Sequence, residues 1–315
     1  MWIICRKELA DHFSSIRFLI LLCLILMVAL VSTYMAATNV REALEGTSRP
    51  SWVFLLLFSR GKFFSLEEFI AIFGPLLGII MGFDAINRER QQGTLAKLVS
   101  QPIFRDAVIN GKFLAGVITV SIALVSLLLL LSGLGLSTVG VVPGGEEIGR
   151  LFLYLLISIA YVSFWLGLAI LFSVLFRSLA TSALAAVALW IFFSFFMGLA
   201  ANLVANGLAP LRDERDPEEL AHHQHVVEAA SLASPAVLYS QATSTILDPY
   251  RRTRSNLIIP AGPMDQISLE RFQNPLPLDQ SVLVVWPYIT LLVALTLVCF
   301  GLSYVTFMRQ EIRSL

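Results

Sequence analysis

The chain has 315 residues, of which 57% are hydrophobic and only 14% charged, with a mean hydropathy of +0.79. A soluble domain of this length needs far more surface charge, so the composition excludes one and indicates a polytopic membrane protein. Lysine plus arginine and aspartate plus glutamate balance at 22 each, which leaves no basic field for nucleic acid, and Cys5, Cys23 and Cys299 have neither disulfide nor metal-ligand spacing.

At the N-terminus, Trp2, Cys5, Leu9, Phe13 and Ile16 recur at nearly helical spacing, with Arg6, Lys7, Glu8, Asp11 and His12 on the other side. This is an amphipathic helix expected to lie along the membrane interface. Acidic residues mixed with the basic ones, ahead of a span-length apolar run, argue that it is retained rather than cleaved.

A hydrocarbon core about 30 Å thick takes roughly 20 apolar residues per helix. Six runs qualify: 18–37, 69–86, 113–136, 151–176, 179–204 and 281–307. The expected fold is therefore all-α, with six transmembrane helices behind the interfacial one. The run 52–58 is too short to cross and is expected on the surface or re-entering partway.

Within the second run Gly74, Gly78 and Gly82 recur every four residues beside Pro75. Such a stripe lets another helix approach closely. It serves either packing within the chain or, alternatively, a seam between two chains or a surface that slides during transport. Asp84 and Arg88 have the spacing of an i,i+4 pair.

Residues 82–112, GFDAINRERQQGTLAKLVSQPIFRDAVINGK, separate the second and third runs. Their charges, amides, Gly-Thr break and proline cannot lie in hydrocarbon, so the segment belongs at the membrane surface. Gly93 is expected to break the incoming helix, Thr94 to cap the next and Pro102 to end it. Leu95, Leu98 and Val99 then form an apolar face that, with Arg88, Glu89, Arg90 and Lys97, suits a grip on another protein. An ordinary solvated loop with an amphipathic turn is the alternative.

In the fifth run Trp190, Phe192, Phe193, Phe195, Phe196 and Met197 crowd together, either against lipid and neighbouring helices or along a path for an apolar substrate. Residues 207–280 differ in composition and divide the chain into 1–206, this insertion and 281–315. Asp216-Pro217-Glu218-Glu219 opens a helix expected to reach about Leu232. A second helix is expected from Pro235 to Leu247, and 251–274 as loop. Glu218, His222 and His225 share one helix face, which offers a metal two imidazoles and a carboxylate, or is a plain polar surface.

Eleven of the lysines and arginines near span ends, from Arg6 and Lys7 through Arg88, Arg90, Lys112 and Arg177 to Arg313, fall on one side if both termini share it. The opposite short loops hold Arg41, Arg49, Arg60, Lys62 and Arg150. Both termini and the 82–112 segment are therefore expected in the cytoplasm, and the insertion outside.

The apolar centres of runs two to six carry no ionisable side chain, which argues against a proton-driven carrier. The Gly61-Lys62 and Gly111-Lys112 pairs lack the upstream glycine and following Ser or Thr of a phosphate-cradling loop. The chain is thus not expected to be an enzyme, and energy must arrive through a contact.

The order Glu89, Gly93-Thr94, Leu98, Ser100, Pro102, Arg105, Gly111-Lys112 resembles the cytoplasmic loop of type 2 ABC exporter permeases, especially the branch with the permease of the nitrous oxide reductase maturation system. The six-run layout, the N-terminal helix and the segment from Ser234 to Tyr239, SPAVLY, are similar too. The long insertion departs from the short hairpin usual there. The resemblance implies a permease subunit in a prokaryotic cytoplasmic membrane, paired with a second permease chain and with separate ABC ATPase subunits. ATP and Mg would sit on those subunits, and this chain would bind no cofactor. The implied coupling element comprises Arg88, Glu89, Arg90, Gly93, Thr94, Leu95, Leu98, Val99 and Pro102. The rival classes are a membrane-anchored metalloenzyme using the external histidines and a non-transporting scaffold.

Overall fold

In hydrocarbon a chain can satisfy its own backbone only as helices or a closed barrel, and apolar runs of 20 residues take the first course. The computed structural model describes residues 1–44, 54–55, 58, 65–93, 104–140, 142–210, 217–248 and 276–310. Among the described residues the regular elements are helices, six of them long and apolar enough to cross a membrane. The protein is an all-α, multi-pass membrane protein.

Helix α1 (Trp2–Ser14) is the amphipathic opening element and α2 (Ile16–Leu44) carries span 1. Span 2 is α3 (Leu66–Gly82), which turns into the five-residue α4 (Asn87–Gln91). Spans 3 and 4 are α5 (Arg105–Val139) and α6 (Gly145–Leu175). Span 5 joins α7 (Leu179–Ile191) to α8 (Met197–Leu208) through a π-helical turn, Phe192–Phe196. The insertion contributes α9 (Pro217–Ser231) and α10 (Pro235–Leu247), and α11 (Leu278–Arg309) is span 6.

Local chemistry sets the ends. Ser65 caps α3, its hydroxyl accepting from the Glu68 amide at 3.1 Å while the Glu68 carboxylate accepts from the Ser65 amide at 2.9 Å. Pro75 removes the amide that would have bonded the Ala71 carbonyl. The Tyr161 hydroxyl donates to that carbonyl instead, at 2.7 Å, so α3 carries a proline inside the bundle without an orphaned acceptor.

Span 4 is the centre of the bundle. Its apolar window is 67% buried, against 6% for span 5, and it packs on α3, α5, α7, α10 and α11. The glycine stripe of span 2 lies on it. A Cβ at Gly78 would stand 2.6 Å from the Val162 carbonyl oxygen and 2.9 Å from the Leu166 amide nitrogen, and one at Gly82 would stand 2.8 Å from the Leu166 carbonyl. Gly74 faces Val162 and Tyr161. The face considered for a seam between chains is occupied by the chain's own fourth span.

The insertion is less separate than its composition suggests. Pro235, Leu238, Tyr239, Ala242, Ile246 and Leu247 of α10 are buried against α3, α6 and α11. Ser240 donates to Glu67 at 2.8 Å, and the Tyr239 and Ser158 hydroxyls meet at 3.0 Å. Arg150, assigned above to a loop, is fully buried at the start of α6. Its guanidinium donates to the carbonyls of Ile246, at 3.0 Å, and Leu276, and pairs with Glu146 at 3.1 Å. It therefore staples the end of α10 to the start of span 6. Phe54, Leu55 and Phe58 from the short run 52–58 are buried in the same core.

Candidate functional site at the elbow after span 2

The turn after α3 is held by Ser173 of span 4, whose hydroxyl oxygen accepts from the Ile86 and Asn87 amides at 3.0 and 3.1 Å. Those two amides open α4 and have no partner within the helix, so a side chain from another span takes them. Helix α4 stops at Gly93, which has φ +66° and donates its amide to the Arg90 carbonyl at 3.2 Å. Among the described residues nothing lies within 4 Å of its missing Cβ, so its positive φ is what calls for glycine.

Of the charges expected to face a partner, Arg88 is exposed, Glu89 is buried and Arg90 half-buried, while Lys97 lies outside the described residues. Glu89 turns inward and takes the Lys112 ammonium at 3.0 Å. Lys112, with 4% of its side chain exposed, also meets Glu8 of α1 at 2.9 Å. Lys7 closes the group, 3.2 Å from Glu8 and 3.9 Å from Glu89. Glu8 thus sits inside the protein, correcting its placement on the polar side of α1. Beside this clasp Gly111 makes room for Ile4, whose Cγ2 would lie 3.0 Å from a Cβ there. Asp84 feels the charge of Arg88, as expected, and also lies 3.7 Å from Arg17 of span 1.

Arg90 bonds on the opposite side. It donates to the Gln310 side-chain oxygen at 2.7 Å and to the Phe176 carbonyl at 3.4 Å. Arg88, Gln91 and Gln92 remain exposed on α4 and its C-cap. Arg88 and Gln92 rim a polar cleft of 410 Å³ between α1 and the elbow, with Lys7, Asp11, His12 and Arg17 across from them. Thr94, Leu95, Leu98, Val99 and Pro102 lie outside the described residues.

Protonation acts on the clasp. Burial raises the Glu8 carboxyl, but Lys112 and Lys7 outweigh that and hold it below its ordinary value. Burial lowers His12, against the opposing pull of Glu8. The two have the same sign: each contributes fully above its unfolded value, and the contribution is lost as pH falls through the depressed folded one. Deuterium exchange in α1, corrected for intrinsic rates, is expected to rise on acidification, starting below about 6.5 with His12 and steepening below about 4.5 with Glu8. Slower exchange at acid pH would contradict this.

Glu218, His222 and His225 stand along α9. Among the described residues no three His, Cys, Asp or Glu side chains form a group able to hold a metal. His222 and His225 are exposed on α9, whereas His223 is buried and bonded to the Ala209 carbonyl at 2.8 Å.

Six apolar spans, with the amphipathic α1 clasped to a polar elbow after the second, define a multi-pass membrane protein with a built polar junction at one end of its bundle. The profile of the ABC-2 family transporter proteins matches residues 2–312, and the chain belongs to that family. It is similar to two proteins each called a probable ABC transporter permease protein NosY. The one from Stutzerimonas stutzeri is 30% identical over 154 residues, 48% of this chain and 50% of that protein. The one from Pseudomonas aeruginosa is 30% identical over 205 residues, 64% of this chain and 69% of that protein. The chain thus spans half the length of the first relative.

Proposed function

We propose that the chain is the membrane subunit of an ATP-driven exporter, energised by a separate ABC ATPase that docks on the elbow. The observation that carries this reading is the exposed elbow at the end of span 2. Its helix terminates at a left-handed Gly93, with Arg88, Gln91 and Gln92 exposed. Residues Thr94 to Pro102 follow directly and supply the apolar contact, with Leu95, Leu98 and Val99 entering a groove on the ATPase. The subunit sits in a prokaryotic cytoplasmic membrane with both termini inside and residues 207–280 directed outward. In support, α1 and α4 lie at one end of the bundle, whereas α10 meets Glu67 and Arg150 at the other. Span 5, little covered by its own chain, supplies the face for a second permease chain.

The test is co-purification with the cognate ATPase. Arg88→Glu is expected to leave membrane insertion and melting temperature unchanged while lowering permease-stimulated ATP hydrolysis at least tenfold, roughly the loss of a 1.4 kcal/mol contact. Gly93→Val strains a left-handed residue by about 1–3 kcal/mol and should lower the stimulation too. Unaltered stimulation in both variants would place the docking site elsewhere.

A further inference from the structure

Glu89 and Arg90 are neighbours in a five-residue helix, yet they bond in different directions and to different spans. Glu89 meets Lys112 at 3.0 Å, and Lys112 meets Glu8 at 2.9 Å, which links the elbow to α5 and α1. Arg90 meets Gln310 at 2.7 Å. The Gln310 amide nitrogen then donates to the Val174 carbonyl at 2.7 Å, while its backbone carbonyl accepts from Arg105 at 3.2 Å. Gln310 caps span 6, so this arm links the elbow to α11, to the end of α6 and, through Arg105, to the first residue of α5. The amide's two ends have separate partners, one acceptor and one donor, which fixes its orientation.

We infer that the elbow is a two-armed joint: Glu89, through Lys112 and Glu8, carries its motion to α1, and Arg90, through Gln310, carries it to spans 6 and 4, with both arms touching the start of span 3 at different residues, Lys112 for the first and Arg105 for the second. Gln310 and Lys112 are positioning residues, acting through the elbow and touching no cargo. The inference rests on the coupling role proposed above, but the arms themselves are testable without the ATPase. Charge-assisted hydrogen bonds of this length are directional and strong, so each arm moves as a unit with α4. A shared packed surface would not divide this way, because disturbing one part of it would disturb all of it.

The experiment places spin labels on unnatural amino acids at Gln91, Phe13 and Met308, all exposed, in protein reconstituted in nanodiscs. The Gln91–Phe13 distance reports the α1 arm and Gln91–Met308 the span 6 arm. In the unaltered chain both distributions are expected to be narrow. Lys112→Gln should broaden only the first and Gln310→Ala only the second, with Lys112→Arg restoring a narrow first distribution. If Lys112→Gln fails to fold, Lys112→Gln with Glu89→Gln opens the same arm without leaving Glu89 charged. Broadening of both distances by either single change, or of neither, overturns the two-arm joint. With the cognate ATPase added, each single change is expected to lower stimulated hydrolysis roughly 2- to 30-fold, the range of mutations along a coupling network. Normal stimulation in variants with the expected broadening overturns the transmission role. An ATPase that binds but ignores Arg88→Glu, with both arms behaving as stated, defeats the docking reading alone.

Discussion

Gly78→Ala is expected to unseat span 2 from span 4. The added methyl carbon would stand 2.6 Å from one backbone atom of α6 and 2.9 Å from another. Backbone cannot rotate out of the way as a side-chain tip can, so the two helices must separate along their length. Overpacking costs about 1–3 kcal/mol when neighbours can adjust, and this site belongs at or above the upper end. Gly116→Ala, which meets only the flexible end of Leu166, should cost less. Gly301→Ala on span 6, where a Cβ would meet nothing within 4 Å among the described residues, is the control, expected to gain roughly 0.5–1 kcal/mol from helix propensity. Thermal midpoints and monodisperse yield in detergent give the order. If Gly78→Ala melts with Gly301→Ala but changes oligomeric state, the stripe works between chains after all.

That stripe marks how far local pattern carries. Glycines every four residues announce a close approach, but span 4 as the partner is a tertiary fact with no signal at positions 74–82. The six spans were legible because apolar length is a local property. So were the bounds of α10, where Pro235 opens the helix and Asp248-Pro249 follows its end. Buried charges were not legible. Glu8, Glu89 and Lys112 stand far apart in the chain, and each looks like an interfacial charge on its own helix. Only packing α1 across α5 turns them toward one point. Arg150 misled for the same reason, since it sits just ahead of an apolar run and resembles a loop cation. Gly111-Lys112 was readable as a pattern but not as a device. In the structure the glycine admits Ile4 and the lysine holds Glu8, so the pair is the seat of the N-terminal helix.

Replacing Lys112 with methionine therefore tests more than one ion pair. The change keeps the length and volume of the side chain but leaves two largely buried carboxylates, 11% and 10% exposed, facing each other. Removing one member of a buried pair costs about 3–5 kcal/mol, and the low end applies here because Lys7 can still reach both acids. The cheapest relief is for α1 to lift off α5, returning Glu8 to water. Cys5 would then be exposed; it is 1% accessible with α1 docked. Maleimide labelling of Cys5 at constant pH is expected to be slow in the unaltered protein and at least tenfold faster in Lys112→Met. Adding Glu8→Gln and Glu89→Gln removes the uncompensated charges and should return most of the protection, since neutral amides tolerate the dry site far better than carboxylates. Labelling of Cys5 that stays slow in Lys112→Met would mean that Ile4 packing at Gly111 holds α1 without the charges, and the elbow would then be joined to the N-terminal helix by shape alone.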